Sequence, residues 1–253
     1  VRSPGFVALR KRGAAMGLAM LGAVSQGILW GVMVLGVFIT YKLLDIADLT
    51  VDGSFALGGS VCAVLVVSGV DPVLAIFAAM LAGMIAGAVT GFLHTVFEIP
   101  AILAGILTQI ALWSVNLRIM GKSNTPLLRV DTLFSSVTDA TGLPQNVASI
   151  IVGLIFAILI IVALYWFFGT EIGSACRATG NNEAMVRALG VDTKVTKMIA
   201  LTLSNGLVGL SGGLICESQG YADIGMGTGA IVIGLAAIVI GEGLGRLTPR
   251  KLR

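Results

Sequence analysis

The chain has 253 residues, of which 57% are hydrophobic and 11% charged, and its mean hydropathy is +1.00. Soluble domains of this length are not so apolar, so the sequence predicts an integral membrane protein. The net charge of +3 is divided among segments between apolar runs, and this argues against a nucleic-acid-binding protein.

Side chains suited to catalysis or metal binding are scarce. Cys62, Cys176 and Cys216 lie in or beside different apolar segments without CxxC spacing, so they support neither a disulfide framework nor a metal site. His94 is the only histidine and lies in an apolar run, which favours a packed or interfacial role. The sequence therefore favours neither an enzyme nor a metalloprotein.

Seven apolar segments are long enough for helices that cross a bilayer, which takes about 20 residues each. They cover residues 13–41, 53–70, 72–97, 99–117, 147–170, 198–216 and 224–241. We expect an all-α integral membrane protein with about seven transmembrane helices in a single domain, residues 1–253. The polar residues 120–146 are too few to bury a core and are expected to form a loop outside the hydrocarbon.

A polar stretch, KLLDIADLTVDGSFALGG, separates the first two apolar segments. Its aspartates, Asp45, Asp48 and Asp52, do not have the spacing of an EF-hand loop, so a metal site is disfavoured. Thr50, Asp52 and Ser54 are good N-caps for the next helix. Broken, polar backbone at membrane depth is tolerated only where it is buried or lines a cavity. Asp48, Thr50, Asp52 and Ser54 are therefore also candidates for a translocation path.

Other polar and glycine residues mark the ends and faces of the spans. Four polar residues are candidates for the outer mouth of the path, with helix capping or an interfacial position as the alternative: Asn116, Arg118, Glu217 and Gln219. Gly83, Gly87 and Gly91 recur every four residues, a ridge that lets another helix approach closely. The GMGTG sequence at residues 225–229 has no following lysine, so we interpret it as a connection rather than a phosphate loop.

The longest polar stretch between two spans is EIGSACRATGNNEAMVRALGVDTKVTK, residues 171–197. Asn181 or Asn182 can cap a short helix there. Glu183 suits the first turn because of the helix dipole, and Gly190 supplies a stop. On charge alone, however, this stretch is equally well a solvated loop that follows the positive-inside rule.

Alternation of the spans predicts which segments share a side of the membrane. If residues 171–197 are cytoplasmic, the inner side also holds residues 42–52, Glu98 and the tail. The outer side then holds the N-terminus, Asp71, residues 120–146 and residues 217–223. The basic tail fits the positive-inside rule, whereas the basic segment 1–12 does not.

Three sequence blocks in order resemble one known family. IADLTVDGSFALGG (46–59), IPAILAGILTQIALWSVNLRIMGKSNTPLL (99–128) and ATGNNEAMVRALG (178–190) are similar to ABC importer permeases of the branched-chain amino-acid type. The resemblance covers roughly residues 25–245. Within the family it points to the subgroup that works with lipoprotein-type binding proteins and is associated with tryptophan or tyrosine uptake.

The resemblance implies a cytoplasmic coupling helix that docks into a cleft of an ATPase subunit. The residues carried over to this role are Asn181, Asn182, Glu183, Ala184, Arg187 and Gly190. The wider family often has Glu-Ala-Ala with a glycine six places after the glutamate. Here Met185 follows Ala184, and Gly190 is seven places after Glu183, so the register of the docking helix differs.

The resemblance further implies an assembly in a bacterial plasma membrane. Its other members would be a second permease copy, most simply identical, two ATPase subunits and an extracytoplasmic substrate-binding lipoprotein. The chain has no GxxxxGK[ST] motif, so ATP and Mg²⁺ are expected on the ATPase subunits. The solute would cross by alternating access. Such permeases usually continue past GEGLG into another helix, so we expect an eighth span beyond this chain.

Two other classes of function remain open on the sequence. A secondary transporter or channel would use the carboxylates of Asp45, Asp48, Asp52 and Glu98 as ion or proton relays. No internal repeat is evident, and the spans hold no basic partner for such a relay. A scaffold subunit is the second alternative. Both predict that changes in the 181–190 helix leave function intact.

Overall fold

The computed structural model describes residues 4–128 and 130–247. In this part the chain forms ten α-helices, one π-helical turn and two short strands. In chain order they are α1 (Pro4–Phe38), the π-helical turn Ile39–Leu43, α2 (Thr50–Val67), α3 (Pro72–Thr95), α4 (Ala101–Met120), β1 (Asn124–Pro126), α5 (Leu133–Thr141), α6 (Gln145–Gly169), α7 (Glu171–Asn181), α8 (Glu183–Ala188), α9 (Thr193–Gln219), β2 (Tyr221–Asp223) and α10 (Ala230–Leu247). The basic side chains of residues 1–12 and of the tail from 246 onward lie outside the described residues.

Among the described residues, six helices are long and apolar enough to cross a membrane. They are the segment Ala19–Leu43, which joins α1 to its π-helical turn, and α2, α3, α4, α6 and α9. The seventh predicted span corresponds to α10, whose apolar stretch Ala230–Gly245 is shorter. The prediction of an all-α, multi-pass membrane protein is therefore confirmed.

The central helix is α9, whose spanning window is 83% buried, and α1, α2 and α3 pack around it. Glycine makes this packing possible. A Cβ atom at Gly83 would meet the backbone carbonyl of Asn205, and one at Gly87 would meet the backbone carbonyl of Leu201. The glycine ridge predicted on α3 is therefore confirmed as a packing surface, and the backbone of α9 is its partner.

Contacts between distant segments define the two ends of the helix bundle. At one end β1 and β2 pair antiparallel, with Thr125 opposite Ala222. At the other end Lys42 pairs with Glu242 at 2.6 Å, and Lys194 pairs with Glu98 at 3.3 Å. These groupings match the predicted alternation, which put residues 120–146 and 217–223 on the outer side.

Both polar loops contain more helix than the sequence indicated. Residues 120–146 were expected to be a loop, but they include α5, which begins with a capping box between Thr132 and Ser135. Phe134 anchors α5 because its side chain is fully buried. Residues 171–197 were expected to hold one short helix and instead hold two, α7 and α8.

Candidate functional site

The chain is unwound between the π-helical turn and α2, over residues 44–49. Asp45 opens this unwound segment with φ +56°, in the left-handed region that aspartate tolerates better than most residues. Leu49 packs against Gly105 of α4, where a Cβ atom would touch the Leu49 backbone. The irregular backbone is thus enclosed by helices, as its position within a membrane bundle requires.

A buried polar cluster fixes the start of α2 against the middle of α9. Nδ2 of Asn205 donates to Oδ2 of Asp48 at 2.6 Å, and Oγ of Ser54 donates to Oδ1 of Asn205 at 2.7 Å. The backbone N–H of Thr50 donates to Oδ1 of Asp48 at 2.9 Å, while its hydroxyl lies 2.8 Å from that of Thr90 on α3. All five side chains are at most 2% exposed. In the described part of the chain Asp48 has no ion-pair partner, so neutral donors alone stabilise it.

The capping roles predicted for Thr50, Asp52 and Ser54 at the start of α2 are wrong. The N-cap of α2 is Leu49, which has no capping side chain, and the carboxylate of Asp48 accepts the N–H of Thr50 instead. Asp52 caps a different helix. Its carboxylate accepts the N–H groups of Gly229 and Ile231 at 3.0 and 2.9 Å, at the start of α10. The first N–H groups of α10 have no acceptor within their own helix, and the negative charge of Asp52 is favourable at that helix end, so the carboxylate bonds there.

The three aspartates of this segment do not converge. Asp45 lines a cavity at the inner end, Asp48 faces α9, and Asp52 faces the start of α10. Within residues 4–128 and 130–247, no group of three or more His, Cys, Asp or Glu side chains is placed to hold a metal ion. The polar side chains of this segment instead hold α2, α9 and α10 together through hydrogen bonds.

The four residues predicted at the outer mouth fall into two groups. Arg118 and Gln219 are exposed, whereas Asn116 and Glu217 are each 1% exposed. Glu217 accepts the backbone N–H of Leu133 at 2.8 Å and the thiol of Cys62 at 3.4 Å. It therefore anchors the first turn of α5 to α9, a role that could not be predicted while α5 was unrecognised.

Two of the predicted coupling residues, Glu183 and Arg187, form an ionic corner with Thr193 and Lys197 of α9. Glu183 pairs with Arg187 at 2.7 Å and with Lys197 at 2.8 Å, and it accepts the hydroxyl of Thr193 at 3.1 Å. The hydrogen bond from Lys197 is the main reason that the pKa of Glu183 lies below its ordinary value of 4.5. Asn182, not Asn181, is the cap, since its side chain accepts the N–H of Met185 at 3.0 Å.

Exposed apolar side chains lie on α8 and at its C-cap, away from the ionic corner. Met185 is 53% exposed and Leu189 is 73% exposed, while Val186 between them is buried. Gly190 follows with φ +85°, which ends the helix and turns the chain toward α9. The coupling residues predicted from the sequence include Ala184 and Gly190 but not the exposed Met185 and Leu189. Their apolar character at i and i+4 in a charged loop was the available signal.

Helix α7 connects this corner to the unwound segment. Gly180 lies against the backbone carbonyl of Leu43, where a Cβ atom would clash. A cavity of about 510 Å³ lies beside this contact, lined by residues from the unwound segment, the α3–α4 turn and the ionic corner. His94 lines it and bonds through Nδ1 to the carbonyl of Ile99 at 2.8 Å, which confirms its packed role.

Comparisons with known proteins place these features in a family. The family model described as branched-chain amino acid transport system / permease component matches residues 19–249. The chain is 39% identical over 192 residues to the tyrosine transport system permease protein of Clostridioides difficile, covering 76% of this chain and 62% of that protein. It is 35% identical over 192 residues to the uncharacterized protein RP368 of Rickettsia prowazekii, covering 76% and 65%.

A more distant relative is the ribose import permease protein RbsC of Escherichia coli, 30% identical over 168 residues, which are 65% of this chain and 50% of RbsC. The chain thus spans less than two thirds of the length of these relatives. No solved structure matches it. Because the family model covers nearly the whole chain and the helices form a multi-pass bundle, this chain belongs to the branched-chain amino acid transport system permease family of bacterial plasma-membrane proteins.

Proposed function

We propose that the chain is the membrane-spanning subunit of an ATP-driven ABC importer that moves an aromatic amino acid by alternating access. The observation that carries this proposal is the apolar face of α8, Met185 and Leu189, held outside the hydrocarbon on a helix that charges and a cap keep rigid. Exposed apolar groups on a rigid polar loop indicate a protein partner. In this family that partner is an ATPase subunit.

The described contacts supply a route from this helix to the core. Movement of α8 is carried to α9 through the Glu183–Lys197 pair and to the π-helical turn through α7 and Gly180. The unwound segment follows directly, and Asp48 bonds it to the centre of α9. A packed element of this kind can shift between two discrete arrangements when a partner subunit closes around bound ATP and Mg²⁺.

The proposed assembly has two copies of this chain, two ATPase subunits and an extracytoplasmic binding protein. A homodimer is the simplest arrangement. The chain itself carries out no chemistry, and ATP is hydrolysed on the partner subunits. Tyrosine or tryptophan is the favoured solute, supported by the name of the Clostridioides difficile relative. Because a more distant relative is a ribose import permease, D-ribose is the solute against which uptake of tyrosine and tryptophan is compared.

The test is association with the ATPase subunit followed by uptake into proteoliposomes. We expect Leu189→Asp to release the ATPase subunit during copurification and to abolish ATP-dependent uptake. Leu128→Asp is the matched control, since Leu128 is 78% exposed near the outer strands and should leave ATPase binding unchanged. If Leu189→Asp retains both the subunit and uptake, α8 is only a solvated connection and the proposal fails.

A secondary transporter remains the second candidate because Asp48 is a buried carboxylate without an ion-pair partner in the described residues. Such a group suits an ion or proton relay. The two candidates differ in energy source. Uptake that needs ATP inside the vesicle and survives collapse of the proton gradient supports the importer, while the reverse result supports the secondary transporter.

A further inference from the structure

A stripe of polar and aromatic side chains on α4 faces a small cleft at the start of α2. Gln109, Trp113 and Asn116 are spaced at i, i+4 and i+7, so they project from one side of the helix. All three line the cleft, and Asp52 and Thr228 line its opposite wall. Gly53 allows this approach because a Cβ atom there would lie within 3.2 Å of the Gln109 backbone and of the Leu112 side chain.

Asn116 is the feature that points to a ligand. Its side chain is 1% exposed and lines the cleft, and its amide nitrogen makes only a long 3.5 Å bond to the carbonyl of Gly53. The side-chain oxygen has no hydrogen-bond partner among the described residues. A buried amide oxygen without a partner is costly, so a donor is expected to reach it in another state of the protein.

Gln109 and Trp113 extend the same surface toward the middle of the span. Gln109 is partly exposed in the middle of α4 and makes no hydrogen bond within the described part of the chain. Polar side chains at this depth avoid lipid and face a water-filled path or another polar surface. Trp113 is 50% exposed and offers a flat aromatic wall beside the cleft.

We propose that Gln109, Trp113 and Asn116 form the contact surface for an aromatic amino acid in the translocation path. The inference deepens the function proposed above and rests on it. Trp113 would stack on the ring of the solute, the Asn116 oxygen would accept an N–H or O–H, and the Asp52 carboxylate on the opposite wall would face its ammonium group.

The cleft is closed in this conformation, with a volume of about 20 Å³. This is room for one water molecule. A solute therefore reaches Asn116, the buried member of the stripe, only when α4 and the 224–229 connection separate. The same connection is held to α2 by Asp52 through Gly229 and Ile231, so opening the cleft moves the start of α10.

The first test asks whether the stripe is reached by water, and it needs no knowledge of the solute. Gln109→Cys and Trp113→Cys variants of the assembled complex are treated with a membrane-impermeant methanethiosulfonate reagent during ATP turnover. The matched control is Ile110→Cys, since Ile110 is 64% exposed on the same turn of α4 but does not line the cleft. The three native cysteines are buried, so the unaltered protein gives the background.

We expect both stripe variants to react at least tenfold faster than Ile110→Cys. Equal rates in all three variants would overturn the inference. So would a disulfide-linked dimer of Gln109→Cys without any reaction with the reagent, because this would make the stripe a contact between two copies only.

The second test addresses the solute. Uptake of L-tyrosine and L-tryptophan per ATP hydrolysed should fall about tenfold in Trp113→Leu and be kept in Trp113→Phe. Trp166→Leu is the control, because Trp166 is 73% exposed on α6 and should have no effect. Normal uptake by Trp113→Leu would overturn the proposed role of the stripe in solute contact, but it would leave the proposal of an ATP-driven importer intact. ATP-driven uptake of D-ribose and of neither amino acid would overturn the aromatic class alone, and uptake without ATP would overturn the importer itself.

Discussion

Asp48 is held by neutral donors on both of its oxygens, and this arrangement makes the pair with Asn205 a unit. Asp48→Leu leaves the N–H of Thr50 and one N–H of the Asn205 amide without their acceptor in a buried site, while the other amide N–H keeps its bond to the carbonyl of Leu201. We expect a loss of about 1–3 kcal/mol in the free energy of unfolding, because unpaired buried polar groups retain their desolvation cost. The measurement is thermal unfolding in lipid nanodiscs, compared with wild type.

A second variant, Asn205→Leu, tests whether Asp48 and Asn205 act as a hydrogen-bonded pair. Asn205→Leu should be similarly destabilising, since it strands Asp48 and Ser54. The double variant should lose less than the sum of the two single losses, because replacing both partners removes the unpaired groups. Additive losses would show that the two side chains do not act as a pair.

Glu183 gives the ionic corner between α8 and α9 a defined pH dependence. Its folded-state pKa lies below its ordinary value of 4.5, first because of the hydrogen bond from Lys197. A depressed carboxyl pKa contributes stability that is present above the unfolded value and is lost as pH falls through the folded value. We expect hydrogen-exchange protection of α8 amides to be constant from about pH 5 to 7 and to fall below about pH 4. In Glu183→Gln, protection should be lower and free of this transition, whereas an unchanged transition would assign it to another group.

At the scale of whole helices, α3 and α9 are joined by backbone contact through glycine. Gly87→Ala would place a Cβ against the Leu201 carbonyl, so we expect a loss of about 1–3 kcal/mol from overpacking. Gly31→Ala on α1 is the matched control, since nothing lies within 4 Å of its added Cβ. It should be neutral or stabilising by about 0.5–1 kcal/mol, because alanine favours a helix. Thermal unfolding of the two variants in nanodiscs measures the contrast, and equal unfolding temperatures would contradict it.

The membrane-spanning helices could be predicted because each one corresponds to a single long apolar segment of the sequence and requires no knowledge of distant residues. The glycine ridge was predictable for the same reason, since its period appears within one helix. The role of Asp52 as a cap for α10 could not be predicted, because its partners, Gly229 and Ile231, lie far along the chain. The helix α5 was missed because it is short and its anchors, Phe134 and the Glu217 bond, exist only after folding.

At the scale of the molecule, the proposed mechanism includes a direct contact between the inner loop and the break in the first span. Gly180 of α7 touches the Leu43 carbonyl at the start of the unwound segment, and Asp48 then joins that segment to the centre of α9. Most other contacts of α7 and α8 are with α6 and with the inner end of α9. The Gly180 contact therefore joins α7 directly to the break in the span.

Gly180→Ala is expected to separate binding of the ATPase from transport. The added Cβ would push α7 away from the Leu43 backbone, while the apolar face of α8 at Met185 and Leu189 is left intact. The ATPase subunit should therefore copurify as in wild type, but uptake per ATP hydrolysed should fall by at least tenfold. Gly169→Ala is the control, because nothing lies within 4 Å of its added Cβ, and it should transport normally. If Gly180→Ala transports as well as Gly169→Ala, movement passes from the loop to α9 through contacts such as the Glu183–Lys197 and Thr179–Thr196 pairs, and the unwound segment follows α9 rather than α7.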